Sequence, residues 1–597
     1  MQEYNQDVMS TKYFHRILTI FIVVGLFFLA CAPEATVIPQ LVQASPTSFV
    51  SSVPVEVVTV TPSPTGLQIG ESVPSSLREQ AKSWNIPTNS FVTLDVSTSP
   101  VNPNETQIQW VYALVAPFPT VTDDVTFDEL KLAWSDGTIP AAFSGNPLLM
   151  DESTLAAFMA LWGAPAAGSV RSVPEDQLLD TAWTELPSWA IVPFEVLEPR
   201  WKVLAVDGQS PIRKNFDQSK YPLVVSFTLR TSGNLQPSSL LPLPSNYDPS
   251  KLTTVILTGV TALVRATALT MEVKGVKYPG EKIRDVMLET DIAHVSNEIP
   301  FFTGCAFPNP NQRALVFCSD PKYIELLTDI GTDVIELTGN HFADRGAKGM
   351  LETLEIYKAY NLPYFGGGAD LEDSLKPALF EVNGNKIAFI GCNRPDTGKF
   401  PTATIDRPGA APCDFPYLKE KIAQLKSEGY IVISTFQWNE SYDHQPNILQ
   451  VEDFRLMADS GASIVSGSQA HYAQMMEFYN GSFIHYGLGN LFFDQMGDQA
   501  WMPKGIRREF LDRYVIYDGH FISAELITAL LQDYSRPRLM TEQERTKFLQ
   551  EYFFYSGWTS LQPTAEPTIT PTLTPLPIPP LAGTLELLPL NTPSPSP

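Results

Sequence analysis

The strongest constraint on the fold is a long alternation of short apolar runs and amphipathic stretches between residues 251 and 535. The apolar runs are rich in β-branched residues and have the length of buried strands. They lie at Thr254–Thr258, Ile292–Ser296, Val334–Thr338, Lys386–Cys392, Ile431–Phe436, Ser463–Ser466 and Phe483–Tyr486. Helical patterns separate many of them, at Pro321–Ile330, Gly349–Tyr360, Pro416–Glu428 and Val451–Ser460. This alternation predicts a layered α/β domain, which strand-like segments after Glu509 would close in antiparallel fashion.

The two ends of the chain differ from this domain in composition. The 51 prolines of the 597-residue chain are enriched near both ends. Residues 32–75 are rich in Pro, Ser, Thr and Val, which predicts an extended tether. Residues 562–597 have a similar composition and predict a disordered Pro/Thr-rich tail. A capping-box pattern at Thr541 and Glu544 indicates a last helix, and residues 536–561 are predicted as a C-terminal helix.

The first 31 residues carry the features of a bacterial export signal. Lys12 and Arg16 precede an apolar run over residues 17–30, which is short for a membrane span but suits a signal-peptide core. The run ends in Phe-Leu-Ala-Cys, which is similar to a lipobox with Cys31 as the lipidated residue. A lipoprotein signal peptide predicts a membrane anchor on Cys31, and a plain signal anchor is the alternative. Both place the body of the protein on the extracytoplasmic face of the cell membrane.

The charge balance limits the partners. The formal net charge at pH 7 is -25. Binding to the phosphate backbone needs a basic face, so we expect no nucleic-acid partner.

The cysteines predict disulfide bonds. Besides Cys31 there are four, Cys305, Cys318, Cys392 and Cys413, and an even number in an oxidising compartment favours pairing. The pairs Cys305–Cys318 and Cys392–Cys413 would each close a short loop. Three pairings exist, and the sequence does not choose among them.

Residues 76–245 predict a smaller folded unit ahead of the main domain. Strand-like runs such as Phe91–Val96 and Gln109–Val115 alternate with helix-like ones such as Ser153–Trp162. Residues 188–223 contain a strand, an Asp-Gly-Gln-Ser-Pro turn and a Tyr-Pro-Leu segment, in an order that resembles one lobe of a phosphate-type periplasmic solute-binding protein. The resemblance implies a small α/β domain. Its role would be either to bind a solute or to pack against the domain that follows.

Polar residues follow the strand predicted at Val334–Thr338. Asn340 and His341 come directly after this strand, and Asp344 lies one turn further on. Ligands bind outside the carboxyl ends of strands in α/β sheets, and Asn and His can serve as metal ligand and proton donor. His341 and Asp344 are therefore candidate catalytic residues. The alternative is that this segment only ends a strand and caps the next helix.

Five segments of the main domain form blocks in a fixed order. They are TVILTGVTALVR (254–265), DIAHVSNE (291–298), a segment that begins LTGNHFADRG (337–377), ISTFQWNESY (433–442) and GASIVSGSQAHYAQMMEFYNGSFIHYGLGNLFFDQ (461–495). In this order they resemble the CapA family, bacterial proteins of poly-γ-glutamate capsule synthesis in the calcineurin-like metallophosphatase superfamily. The resemblance implies a four-layer metallophosphatase-like α/β sandwich at residues 251–535. It also implies a two-metal site that activates a bound water.

The metal site that this resemblance implies is incomplete. The matching residues are Asn297, Glu298, Asn340, His341, Asp344 and His471. Where the family has an aspartate, this chain has Val260. Where the family has histidines, this chain has Gln437, Ser468 and Gln469. Glutamine offers only a neutral oxygen, and residues that build such a site act as a unit. A tight two-metal centre is therefore not expected. One loosely held divalent cation is compatible with Asn297, Glu298, Asn340, Gln437, Gln469 and His471.

Two functions from different classes fit these observations. The first is an extracytoplasmic, lipid-anchored CapA-like protein that makes, exports or remodels an anionic surface polymer. It would act as a weakened metal-dependent hydrolase or as a partner of the synthesis complex. The second is a non-catalytic binding or scaffold protein that uses the solute-binding-like lobe. The residues at Val260 and Gln469 favour the second function, and the complete order of the five blocks favours the first.

Overall fold

The computed structural model describes residues 66–98, 105–232, 235, 237–240, 242–394, 402–497 and 504–558. The predicted signal peptide (1–31), the tail (562–597) and the tether up to residue 65 lie outside the described residues. None of the helices in the described ranges is long and apolar enough to span a membrane.

A nine-stranded sheet forms the first part of the fold. Its strands are β1 (Gly66–Ile69), β2 (Phe91–Val96), β3 (Glu105–Pro117), β4 (Asp124–Val125), β5 (Leu148–Met150), β6 (Val170–Ser172), β7 (Trp189–Pro193), β8 (Trp201–Val206) and β9 (Val224–Ser232). The order is β1-β2-β9-β3-β7-β5-β6, with β8 beside β3 and β4 beside β8. The α-helices of this part are α1 (Ser75–Lys82), α2 (Phe127–Asp136), α3 (Glu152–Trp162) and α4 (Leu178–Thr184). The strand predicted at Phe91–Val96 and the helix predicted at Ser153–Trp162 are confirmed.

The first sheet begins earlier than the sequence predicts. Residues 66–69, which their composition assigns to the tether, form β1 and pair in parallel with β2. Leu67 and Ile69 pack against the core of this sheet. A four-residue edge strand has too short a pattern to stand out from its surroundings, and its partner lies more than twenty residues away.

Residues 252–539 form three further sheets. Their strands are β10 (Leu252–Thr258), β11 (Val260–Thr261), β12 (Ile292–Asn297), β13 (Val334–Glu336), β14 (Tyr364–Phe365), β15 (Gly367–Gly368), β16 (Ala378–Val382), β17 (Asn385–Asn393), β18 (Gly409–Ala410), β19 (Ile431–Ser441), β20 (Ile464–Ala470), β21 (Met476–Tyr479), β22 (Ser482–His485), β23 (Asn490–Phe492), β24 (Arg508–Tyr517), β25 (His520–Gln532) and β26 (Arg536–Leu539). One large sheet has the order β14-β13-β12-β10-β24-β25-β26, and β11 links β12 to β23. The other has the order β16-β17-β19-β20-β22-β21, and β15 pairs with β18.

Helices cover the outer face of each large sheet. They are α5 (Arg265–Lys274), α6 (Arg284–Leu288), α7 (Ile324–Asp329), α8 (Gly346–Ala359), α9 (Leu371–Ser374), α10 (Phe415–Ser427) and α11 (Ile448–Ser460). One apolar core joins the four helices α5, α6, α7 and α8 with the first large sheet of this domain. Another core joins α10 and α11 with the second large sheet. A third core lies between the two sheets, where Val255 and Ile292 of one sheet meet Ile387 and Phe389 of the other. The predicted α/β class and its four layers are thus confirmed.

The C-terminal helix, α12, spans Glu542–Tyr555. Thr541 and Glu544 form the predicted capping box at its start. The predicted segment 536–561 is not helical throughout, because residues 536–539 form the edge strand β26. Residues 536–539 form a strand because they pair with β25, and the local sequence pattern does not show this pairing.

The first sheet packs firmly against the following domain. Ion pairs connect Arg213 with Glu525 at 2.8 Å and Lys214 with Asp291 at 2.9 Å. Phe118, from the end of the long strand β3, lies in the core between the two large sheets of the second domain. The first domain therefore serves at least as a packing partner, one of the two roles open to it.

Two disulfide bonds join Cys305 with Cys318 and Cys392 with Cys413. The structure thus selects one of the three pairings that the sequence allows.

Candidate functional site

The carboxyl ends of parallel strands from both large sheets bring three polar side chains together. Glu298 follows β12, Asn340 follows the short strand β13, and Gln437 lies on β19. The Nε2 atom of Gln437 lies 3.2 Å from Asn340 Oδ1 and 3.5 Å from Glu298 Oε1. All three residues belong to the predicted ligand set, so the fold does assemble part of it.

The orientation of the Gln437 amide follows from its neighbours. Asn393 Nδ2 lies 2.7 Å from the carbonyl oxygen of Thr338, which can only accept a hydrogen bond. The same Nδ2 lies 2.9 Å from Gln437 Oε1, so this oxygen is the acceptor. Gln437 therefore turns its N–H groups, not its oxygen, toward Glu298 and Asn340. This orientation corrects the prediction that Gln437 would offer a carbonyl oxygen to a metal ion.

Glu298 is a buried carboxylate with unused capacity. Its side chain is 2 % exposed, and within the described ranges only the long contact from Gln437 reaches Oε1. The second oxygen, Oε2, is buried and has no hydrogen-bond partner among the described residues. Buried polar atoms are nearly always paired, so Oε2 marks a place where a ligand donor fits.

His341 and Asp344 form a hydrogen-bonded pair beside this carboxylate. His341 Nδ1 lies 2.8 Å from Asp344 Oδ2, which also accepts the backbone N–H of Phe317 at 2.6 Å. Burial alone would lower the pKa of His341. The hydrogen bond with Asp344 and the nearby carboxylates of Glu298 and Glu440 outweigh burial, so this pKa lies above its usual value. His341 is thus suited to donate a proton or to face an anion.

The Phe317 contact is one that sequence reasoning missed. Its ring centroid lies 4.9 Å from the imidazole of His341, in an edge-on arrangement. Phe317 precedes Cys318, so the Cys305–Cys318 disulfide closes the loop that holds it. The cysteine spacing pointed to a closed loop, but no signal in the sequence linked this loop to Asp344.

His471 has a defined tautomer. Asn490 Nδ2 lies 3.2 Å from the backbone oxygen of His471, so Asn490 Oδ1 is the atom that faces the imidazole. This oxygen lies 2.8 Å from His471 Nδ1, which must carry the proton. With the proton on Nδ1, this tautomer has its lone pair on Nε2, where it can act as a base.

A chain of polar residues continues behind His471. Asn490 donates to Gln495, and Gln495 donates to Tyr442 Oη, each at 3.0 Å. Tyr442 donates in turn to Glu440. Sequence reasoning assigned no role to these residues, although all of them lie in the last two of the five blocks.

Other predicted residues do not join the cluster through a hydrogen bond. Asn297 Nδ2 donates instead to Tyr357 Oη at 2.7 Å and to the Ile299 carbonyl at 2.8 Å. Gln469 is buried and has a left-handed backbone with a φ of 73°. Val260 lies on β11 in an apolar cluster and is 1 % exposed.

These side chains do not fit the two-metal centre that the fold family implies. Gln437 directs N–H groups into the space between Glu298 and Asn340, where a cation would need oxygen or nitrogen lone pairs. Val260 has no ligand atom, and the Asn297 oxygen Oδ1, which has no hydrogen-bond partner among the described residues, does not replace the missing carboxylate. Among the described residues, no three His, Cys, Asp or Glu side chains converge as they would around a metal ion. A single ion held loosely by the amide-rich set stays a prediction.

Comparisons with known proteins agree with the order of the blocks. Residues 254–495 match the model of a family described as bacterial capsule synthesis protein PGA_cap. Over 178 residues the chain is 35 % identical to the PGA biosynthesis protein CapA of Bacillus subtilis (strain 168). This alignment covers 30 % of this chain and 47 % of that protein. Over 179 residues it is 31 % identical to the capsule biosynthesis protein CapA of Bacillus anthracis, covering 29 % and 43 %. This domain belongs to the CapA family.

We call Glu298, Asn340, His341, Asp344, Gln437, His471 and Asn490 the strand-end cluster, and the family match at residues 254–495 contains all of them. The chain spans less than half the length of the two Bacillus proteins. Among solved structures, NAD nucleotidase of Haemophilus influenzae matches 50 % of this chain and 55 % of its own, at 12 % identity and a TM-score of 0.28.

Proposed function

We propose that this CapA-family protein makes, exports or remodels an anionic surface polymer of the poly-γ-glutamate type. It would work alone or within the synthesis complex, on the extracytoplasmic face of the membrane and anchored through a lipid on Cys31. The names of the two Bacillus relatives, a PGA and a capsule biosynthesis protein, support the polymer class. The acidic balance of the chain supports the absence of a nucleic-acid partner.

One observation carries this proposal: the unpaired Glu298 oxygen lies close enough to His341 to help raise its pKa, and a second oriented imidazole, His471, packs against Tyr442, whose pKa Glu298 also helps to raise. Each repeat of such a polymer carries one amide and one carboxylate. Glu298 Oε2 can accept the amide N–H, and a protonated His341 can face a carboxylate or give a proton to a leaving nitrogen. His471 Nε2 can take a proton from water. General acid–base chemistry of this kind needs no residue that the cluster lacks.

A second candidate function is polymer binding without turnover. The N–H groups that Gln437 turns toward Glu298 favour it, because they occupy the space where the family chemistry needs a cation. In this case the protein would act as a binding or scaffold component of the synthesis complex.

Metal content tests the two-metal interpretation. We expect the protein purified without its first 31 residues to hold at most one divalent ion per chain, which dialysis removes. We also expect a chelator to leave its melting temperature unchanged. Elemental analysis and thermal unfolding measure these quantities. A matched variant with Val260→Asp and Gln437→His should gain metal. About two tightly held ions per wild-type chain would contradict the geometry at Gln437.

Variants of the two histidines test the site itself. We expect His341→Ala and His471→Ala each to slow the hydrolysis of poly-γ-glutamate by about 100-fold, since a positioned proton donor or acceptor contributes that much or more. The readout is the release of new amino ends from purified polymer. His520→Ala is the control, because this histidine is exposed on β25. Unchanged rates in both variants would end the assignment. No hydrolysis by the wild type, together with binding that Glu298→Gln weakens, would select the binding function.

A further inference from the structure

A cavity of about 170 Å³ lies next to the strand-end cluster. The start of α5, the disulfide-closed loop and the segment after Asp344 form its walls. The lining residues that matter here are Arg265, Cys305, Phe307, Phe317, Lys322 and Arg345. Phe317 also contacts His341 and donates its backbone N–H to Asp344, so the cavity and the candidate site share a wall.

The carboxylates of this cavity are engaged by its own residues. Glu272 accepts from Lys322 Nζ and from Tyr323 Oη, each at 2.6 Å. Asp320 accepts the backbone N–H of Lys322 at 3.0 Å as a helix cap. Lys322 thus offsets one of these two negative charges, chiefly that of Glu272.

The two arginines of the cavity retain donors for a ligand. Arg265 pairs with Asp494 through one terminal nitrogen, but its Nε is buried and has no hydrogen-bond partner among the described residues. The guanidinium carbon lies 5.3 Å from the ring centroid of Phe317 and 5.5 Å from that of Phe493, which holds it in place. Arg345 forms no ion pair and no side-chain hydrogen bond within the described ranges. Guanidinium groups are matched in shape to carboxylates.

We propose that this cavity is a subsite for one carboxylate-bearing repeat of the polymer, adjacent to the repeat at the strand-end cluster. The inference rests on the proposed function and adds the means by which the chain would be held. Arg345 receives the carboxylate at the mouth of the cavity, and the guanidinium of Arg265, held between Phe317 and Phe493, supplies a second positive group in its wall. Phe317 couples the two positions, because the residue that walls the subsite also orients the His341–Asp344 pair.

A binding measurement tests this subsite. The probe is a fluorescently labelled short oligomer of γ-linked glutamate, titrated with the full protein and followed by anisotropy. We expect Arg345→Ala to raise the Kd about tenfold and Arg345→Lys to raise it less, because lysine keeps the charge but loses the planar fork. The matched control is Lys348→Ala, on the first turn of α8, which begins directly after Arg345; its ammonium lies over the ring of Phe302 at 5.3 Å. We expect the Kd of the Lys348→Ala variant to equal that of the wild type.

The outcomes separate the subsite from the function it rests on. Wild-type protein that binds no oligomer overturns both. Oligomer binding that Arg345→Ala leaves unchanged, or that Lys348→Ala weakens as much, overturns the subsite alone. Inorganic phosphate that competes as well as glutarate overturns the preference for a carboxylate. Unaltered melting temperatures in the arginine variants show that any loss of binding is local.

Discussion

Replacing Asp512 with alanine is expected to cost about 3–5 kcal/mol of the free energy of unfolding, the range for removing one partner of a buried pair. Asp512 Oδ2 lies 2.6 Å from His485 Nδ1, and both side chains are fully buried. It also accepts from Tyr514 Oη at 2.9 Å. His485 Nε2 lies 3.1 Å from the carbonyl oxygen of Gln474, which can only accept. Both ring nitrogens of His485 therefore face acceptors, so removal of Asp512 leaves a buried donor unpaired.

Urea unfolding followed by fluorescence measures this loss. Glu79→Ala is the control, because its carboxylate is 69 % exposed and pairs with the exposed Lys82 at the surface. Exposed pairs contribute little, and we expect a change below about 1 kcal/mol there. A cost for Asp512→Ala as small as that of the control would contradict the buried pair. The His485–Asp512 pair also supports the candidate site. His485 is the last residue of β22, and the segment that follows it carries Asn490, which orients His471.

Replacing Phe118 with alanine is expected to cost about 3–5 kcal/mol and to loosen the first sheet from the second domain. The ring is 3 % exposed. Its centroid lies 5.1 Å from Phe478, 5.3 Å from Phe483, 5.6 Å from Trp558 and 6.2 Å from Phe553. These partners come from the second domain, from α12 and from Trp558 just after it, so the lost contacts hold the two parts together.

Hydrogen exchange combined with thermal unfolding measures the effect of Phe118→Ala. We expect faster exchange along β3 and a lower melting temperature. Phe554→Ala is the matched control, since this ring lies on α12 but is 72 % exposed. Equal melting temperatures for the two variants would show that Phe118 is not the contact that joins the domains.

Local patterns carried most of the fold of the second domain. The strand and helix positions came from hydrophobic periodicity, and the capping box at Thr541 marked the start of α12 correctly. Patterns failed where pairing with a distant strand decides the structure. Gly66–Ile69 and Arg536–Leu539 are both short edge strands, and each depends on hydrogen bonds to a neighbour that composition does not reveal.

For the site, the sequence by itself determined which chemical groups gather at the strand ends. The carboxyl ends of parallel strands meet at one edge, so the block order was sufficient to expect Glu298, Asn340 and Gln437 near each other. It also determined that Val260 offers no ligand atom. Such statements depend only on residue type and strand order.

Only the tertiary structure decided which atoms face one another. The direction of the Gln437 amide depends on Asn393 and on the carbonyl of Thr338, which lies 55 residues before Asn393. The proton on His471 Nδ1 depends in the same way on Asn490, 19 residues further on. Hydrogen-bond direction is set by partners that come together only on folding, so no local pattern encodes it. That direction turns Gln437 from the predicted metal ligand into a hydrogen-bond donor.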